Sequence, residues 1–174
     1  MEKHLNSLIE KVIRYDRCGI GVIVDTVSGH TFDLVEKNLQ LKLPEEFRYI
    51  SSLVSVTSFS KMEFFEFEDD PKDWNGIIKN NLEIRKNYEK DSNGQSKERM
   101  DKILVLADDD GGSVFMITQD SPNKPAPVVW CDYGDMYHYA IAGQFRNPHD
   151  EWPSFTDFFE FLVNDLDKRA AKEE

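Results

Sequence analysis

Only two cysteines, Cys18 and Cys131, occur in the 174 residues, with no CxxC pair and no second set of ligands around either. That excludes a disulfide framework and offers no zinc site, so both are expected to be reduced, small hydrophobes in a cytoplasm. No run approaches the roughly 20 apolar residues that span a bilayer, and the mean hydropathy of -0.56 agrees. The stretch MEKHLNSLIEKVIRYDR spreads charge among its apolar positions and lacks the continuous apolar region of an export signal. Neither a membrane nor an export route is expected. Positive charge is scarce as well: 21 Lys and Arg stand against 33 Asp and Glu, a net charge of -12. Phosphate contacts need clustered cations, so direct nucleic-acid binding is not expected, and a basic protein partner is. A nucleotide loop is missing too. Gly19-Ile20-Gly21 is followed by Val24 where the dinucleotide pattern needs a glycine, and the phosphate loop's Gly-Lys pair is absent.

What is present describes one folded domain. The chain is 40% hydrophobic and 12% aromatic, with twelve Phe and three Trp to bury, and its length suits a single core. No internal repeat or low-complexity segment breaks it. The acidity is regional: residues 61–70 hold five carboxylates against one lysine, and 101–153 hold nine against three cations.

Leu5, Leu8, Ile9, Val12 and Ile13 share one face of an N-terminal helix that stops between Cys18 and Gly21, where a turn enters a short strand, Val22 to Val24. A second helical pattern runs from Phe32 through Leu34, Val35 and Leu39. Pro44 then opens another helix, its first turn carrying Glu45 and Glu46 where negative charge suits the helix dipole. Ser51 to Phe67 reads as strands broken near Ser60-Lys61. Trp74, Ile77, Ile78, Leu82 and Ile84 suit a helix ending near Tyr88, and Lys90 to Lys97 reads as an exposed loop. Ile103–Ala107 and Val114–Thr118 flank Asp108-Asp109-Asp110-Gly111-Gly112 as a hairpin. Val128–Cys131 is a third strand, a turn over Asp132 to Asp135 follows, and Tyr137–Ala142 is expected as a fourth strand of an antiparallel meander. After a loop from Phe145 to Pro153, Ser154 and Asp157 form a capping box for a last helix with the stripe Phe155, Phe158, Phe159, Leu162, Val163 and Leu166. The fold class expected is α+β: one domain, an antiparallel sheet of about four to six strands flanked by helices, with N-terminal helices and a C-terminal helix.

Candidate chemistry is sparse. The Asp108-Asp109-Asp110 turn offers carboxylates to a hard cation, but a calcium loop starting at Asp108 needs an oxygen ligand where Gly112 stands and Glu where Gln119 stands. A solvated turn accounts for it without metal. His138, near Asp132 and Asp135, is the one candidate for an acid-base pair; a polar residue alternating with Tyr137 and Tyr139 on a strand explains it more simply. No GxSxG elbow is present. No catalytic residue, cofactor or metal is expected. Strict alternation puts Tyr137, Tyr139 and Ile141 on one buried face, whereas Trp130, Asp132, Tyr133 and Asp135 lie at a strand end and turn, where exposed aromatic residues anchor interfaces. The residues expected to bind a partner are Glu66, Glu68, Asp69, Asp70, Asp108, Asp109, Asp110, Trp130, Asp132, Tyr133 and Asp135.

Four separate segments, in order, carry a family resemblance. Leu43-Pro44-Glu45-Glu46-Phe47 resembles the Leu-Pro-Glu-Asp-Tyr helix start of the SUKH superfamily, which includes bacterial toxin-immunity proteins and fungal regulators of cell-wall synthesis. Leu104–Phe115 is similar to its apolar strand, acidic glycine turn and following strand; Val128–Asp132 is similar to its Val-Tyr-x-Trp-Asp strand; Ser154–Leu162 resembles its terminal helix. The family's Gly-Gly after the Leu-Pro helix is replaced by Ser51-Ser52-Leu53-Val54. The resemblance divides the chain into a helix and short extension over 1–30, a SUKH-like domain over 31–169 and a charged tail over 170–174. It implies an α+β fold and binding without catalysis: an immunity protein neutralising a toxin, often a nuclease, or a regulatory scaffold for a cellular protein. A small hydrolase using His138 is the third alternative.

Overall fold

The apolar spacing of the first residues is realised in the computed structural model as α1 (Glu2–Arg17), whose Leu5, Leu8, Ile9, Val12 and Tyr15 are buried. The structure describes residues 2–18, 22–59, 62–67, 76–91, 97–109 and 112–173. The chain continues through β1 (Val22–Asp25), α2 (Gly29–Leu39), α3 (Glu45–Leu53), β2 (Ser55–Phe59), β3 (Met62–Phe64), α4 (Ile77–Asp91) and α5 (Lys97–Asp101). Then follow β4 (Ile103–Asp109), β5 (Gly112–Ile117), β6 (Val128–Cys131), α6 (Tyr133–Ala142), β7 (Asp150–Trp152) and α7 (Phe155–Glu173). Each strand pairs antiparallel with the next in sequence, so the sheet is a meander. The expected α+β class therefore holds. Strands β2 to β6 are the five in the middle, and short β1 and β7 extend the sheet at its two ends.

The centre lies where the sequence has uninterrupted apolar runs. Ile103–Ala107 and Val114–Met116 are at most 3% exposed, because helices cover both faces there. Strand β3 spans three residues and pairs only with Ala107 and Asp108 of β4. Among the described residues the first half of β4 thus has no strand on that side, and α4 supplies side chains instead. Asn81 Nδ2 donates to Val105 O at 2.9 Å, and Val105 N donates back to Asn81 Oδ1 at 2.8 Å. Arg85 donates to Ile103 O at 3.0 Å, Asp101 O at 2.8 Å and Leu39 O at 2.6 Å, tying β4, α5 and α2 to one guanidinium.

The terminal helix is specified as expected. Asp157 N donates to Ser154 Oγ at 3.1 Å, and all six residues of its apolar stripe are buried. Its outer part meets α1: Lys11 Nζ donates to Asp167 Oδ2 at 2.8 Å, Tyr15 donates its hydroxyl to the same carboxylate, and His4 lies 3.3 Å from Glu160.

Four expectations change. Tyr137–Ala142 is part of helix α6 rather than a strand: Asp132 caps it by accepting from Asp135 N at 2.7 Å, and Gly143 ends it at φ 77°. A cap at each end outweighs the strand preference of Tyr. Met136 and Ala140 consequently form its buried stripe, while Ile141, expected inside, is 64% exposed. The loop expected over Lys90–Lys97 is shorter, since Lys90 and Asp91 end α4 and Lys97 begins α5. Short β7 interrupts the loop expected from Phe145 to Pro153. Helix α4 starts at Ile77; Trp74, the Gly19 to Gly21 turn and the Ser60-Lys61 break lie outside the described residues.

Asn81→Ala leaves a buried donor and acceptor of β4 unpaired, and urea unfolding should show a loss of about 2–4 kcal/mol. Hydrogen bonds from Lys11 and then Tyr15 hold the Asp167 carboxyl below its usual pKa. The stabilisation this gives is complete above the ordinary carboxylate range and is lost as pH falls through the lowered value. Asp167→Asn should flatten the acid limb of a stability-against-pH curve in that window.

Candidate functional site

The β4–β5 hairpin and the start of α6 meet at one corner. Pairing of the strands sets Glu63, Asp108, Ser113 and Cys131 side by side across β3, β4, β5 and β6, on one face of the sheet. Ser113 Oγ donates to Asp108 Oδ1 at 2.6 Å, and the Tyr133 hydroxyl lies 2.8 and 2.9 Å from the two oxygens of the same carboxylate. Burial, aided by Asp108, pushes the Tyr133 phenol above the usual tyrosine range, so it remains a protonated donor. Gly112 allows the tight pairing here, because a Cβ at that position would stand 2.6 Å from Cys131 O.

The following turn uses its carboxylates differently. Asp132 caps α6 and is itself exposed. Asp135, 6% exposed, accepts from Arg146 N at 2.8 Å and Asn147 N at 3.0 Å, fixing the loop after α6. Burial first, then the charges of Asp135 and Asp132, push the Cys131 thiol up to about 12. Trp130 is half-buried opposite Asp150, with its ring 5.0 Å from that of His149.

The corner therefore gathers Asp108, Asp132, Tyr133 and Asp135 from the expected set, whereas Trp130 alternates with Cys131 and falls on the opposite face of β6. Glu66 is further along: it follows β3 and bridges through its backbone to Gly76, with Ile77 N donating to Glu66 O at 2.9 Å. Asp109 is described by its backbone pairing with Gly112, and Glu68, Asp69, Asp70 and Asp110 lie outside the described residues. Two carboxylates not singled out from the sequence share this face of the sheet, Glu63 beside Asp108 and Glu151 three strands away on β7. Glu63 pairs with Asp108, and Glu151, paired with Val129, points to the same face; both are exposed. The Met62-Glu63-Phe64 alternation carried the signal for Glu63, whereas Glu151 falls in a segment that reads as loop.

Asp108 and Asp135 are thus engaged by internal donors, and Glu63, Asp132 and Glu151 present charge outward. Among the described residues no group of His, Cys, Asp and Glu is placed to hold a metal ion. His138 Nδ1 lies 2.9 Å from Gln144 O, the backbone just beyond the end of α6. No described helix is long and apolar enough to cross a membrane.

Two segments that carry the family resemblance also touch. Glu46 accepts from Phe155 N at 3.2 Å and from Thr156 Oγ1 at 2.7 Å, and the Phe47 and Phe155 rings meet at 4.6 Å. The SMI1 / KNR4 family (SUKH-1) matches residues 26–160, a span that contains all four segments except the last two residues of the terminal helix motif. The chain belongs to this family. SUKH-1 membership is consistent with the immunity and regulator-like roles expected from the resemblance. No curated protein matches the chain. Helix α1, strand β1 and the outer part of α7 lie beyond the SUKH-1 match, so the Lys11–Tyr15–Asp167 contact joins two segments outside it.

Cys18 is exposed and Cys131 buried. A thiol reagent at neutral pH should label one cysteine rapidly in the native protein and the second only after denaturation, with Cys131→Ser removing the slow one.

Proposed function

We propose that this SUKH-1 chain is a non-catalytic protein-binding domain, an immunity protein that neutralises a cognate bacterial toxin by covering its basic surface, with a nuclease as the kind of toxin it fits best. The observation that carries this is the outward carboxylate set at the hairpin corner, Glu63, Asp132 and Glu151, in a chain of net charge -12. Carboxylates held in place imitate the phosphates that a nuclease binds, and complementary charge speeds encounter. Asp108 and Tyr133 brace the surface from behind. Glu66, Glu68, Asp69, Asp70, Asp109 and Asp110 are further carboxylates proposed to meet the partner, while Asp135, held by the Arg146 and Asn147 amides, shapes the corner from inside. Binding needs no cofactor, nucleic acid or membrane, and the compartment is the cytoplasm.

A regulatory scaffold is the second reading, favoured by the match to the SMI1 / KNR4 family itself. Gene context separates the two, because a toxin gene directly beside this one belongs to the immunity reading alone.

The purified protein should bind the toxin encoded beside it and protect cells that express that toxin, and added salt should weaken the complex. Glu63→Lys with Glu151→Lys should slow association about tenfold or more while leaving the melting curve in place. Failure to protect, or an association rate indifferent to both charge and salt, would sink the proposal.

A further inference from the structure

Three strands meet the start of α6 at the acidic corner, and one side chain spans them. Asp108 stands on β4, Ser113 beside it on β5, and Cys131 at the end of β6, two strand spacings or about 10 Å from β4. Tyr133, the first residue of α6, reaches back past Ser113 and places its hydroxyl 2.8 and 2.9 Å from the two Asp108 oxygens. The phenol keeps its proton, so it is a donor to whichever oxygen it faces. Ser113, fully buried between them, supplies the second donor at 2.6 Å.

The ring that carries this hydroxyl is itself held. Its centroid lies 6.4 Å from that of Tyr137, one turn on along α6, and Tyr137 lies 5.3 Å from Tyr88 of α4, which is 3% exposed. The other end of α6 is anchored separately, by Arg99 Nη1 donating to Ile141 O at 3.1 Å. Tyr133 therefore ties two pieces together: the β3–β4 pair, with exposed Glu63 beside Asp108, and the start of α6, with exposed Asp132.

We propose that Tyr133 is the positioning residue of the acidic corner: without touching the partner, its hydroxyl fixes the separation of Glu63 and Asp132, the carboxylates that the partner meets. This rests on the reading of the corner as a toxin-binding surface. Asp108 then acts by charge and Tyr133 by geometry, and kinetics separates the two. Long-range charge governs how fast the partners meet, whereas the fit of a fixed surface governs how slowly they part. Tyr133→Phe keeps every charge and removes the tie. Asp108→Asn keeps an acceptor for the tie and removes the charge.

The test measures association and dissociation rates of both full-length variants with the toxin encoded beside the gene, and amide hydrogen exchange of each without toxin. Tyr133→Phe should speed dissociation about tenfold at an unchanged association rate, and Asp108→Asn should slow association about threefold at an unchanged dissociation rate. Without toxin, Tyr133→Phe should speed exchange of the Asp135 and Met136 amides, which bond Asp132, and leave residues 139–142 at the anchored end as they were. Unchanged exchange at those two amides overturns the tie whether or not a toxin binds. Faster exchange along the whole of α6 makes Tyr133 a residue of general stability and overturns its positioning role, as does a loosened corner with an unchanged dissociation rate. A wild-type chain that binds no toxin removes the function itself, and that is read before either variant is compared.

Discussion

The unpaired half of β4 is the constraint around which the fold is arranged. A strand buried on both faces cannot leave backbone donors and acceptors empty, because desolvation without a partner costs about 1–3 kcal/mol for each group. Strand β3 is too short to reach Val105 and Ile103, so Asn81 and Arg85 take the place of a neighbouring strand. Arg85 also bonds Leu39 O and Asp101 O, which makes the position of α2, α5 and the central strand one problem with one solution. Burial lowers its pKa, but from a value so high that the guanidinium keeps its charge at neutral pH.

Much of this architecture was legible because apolar runs and caps are local signals. The β4–β5 hairpin, β6 and the phenylalanine stripe of α7 are written in consecutive residues. Asn81 and Arg85 are not, since a polar residue on an amphipathic helix reads as solvated until the length of the facing strand is known. At α6 two local signals conflicted, and the cap from Asp132 prevailed over alternating tyrosines. The corner was half legible. Its composition pointed to Asp108, Asp132 and Asp135, but which of these are engaged internally depends on Tyr133 and on the Arg146-Asn147 backbone, partners that meet only in three dimensions.

That division of labour gives the acidic surface its mechanical character. Hydroxyl and backbone donors hold Asp108 and Asp135, and Asp132 is fixed by the helix it starts, so the neighbouring outward carboxylates stand on a braced frame. In the proposed complex such a frame would lose less side-chain and loop freedom, leaving a larger part of the interaction energy as affinity.

The contacts between α1 and α7 advance in step, His4 with Glu160 and Lys11 with Asp167, so the first and last helices run parallel. Their separation of 156 residues closes almost the whole length of the described chain. A contact between segments so far apart in sequence must overcome a large loop-closure entropy, so the α1–α7 junction adds to the stability of the finished fold more than to the speed of reaching it.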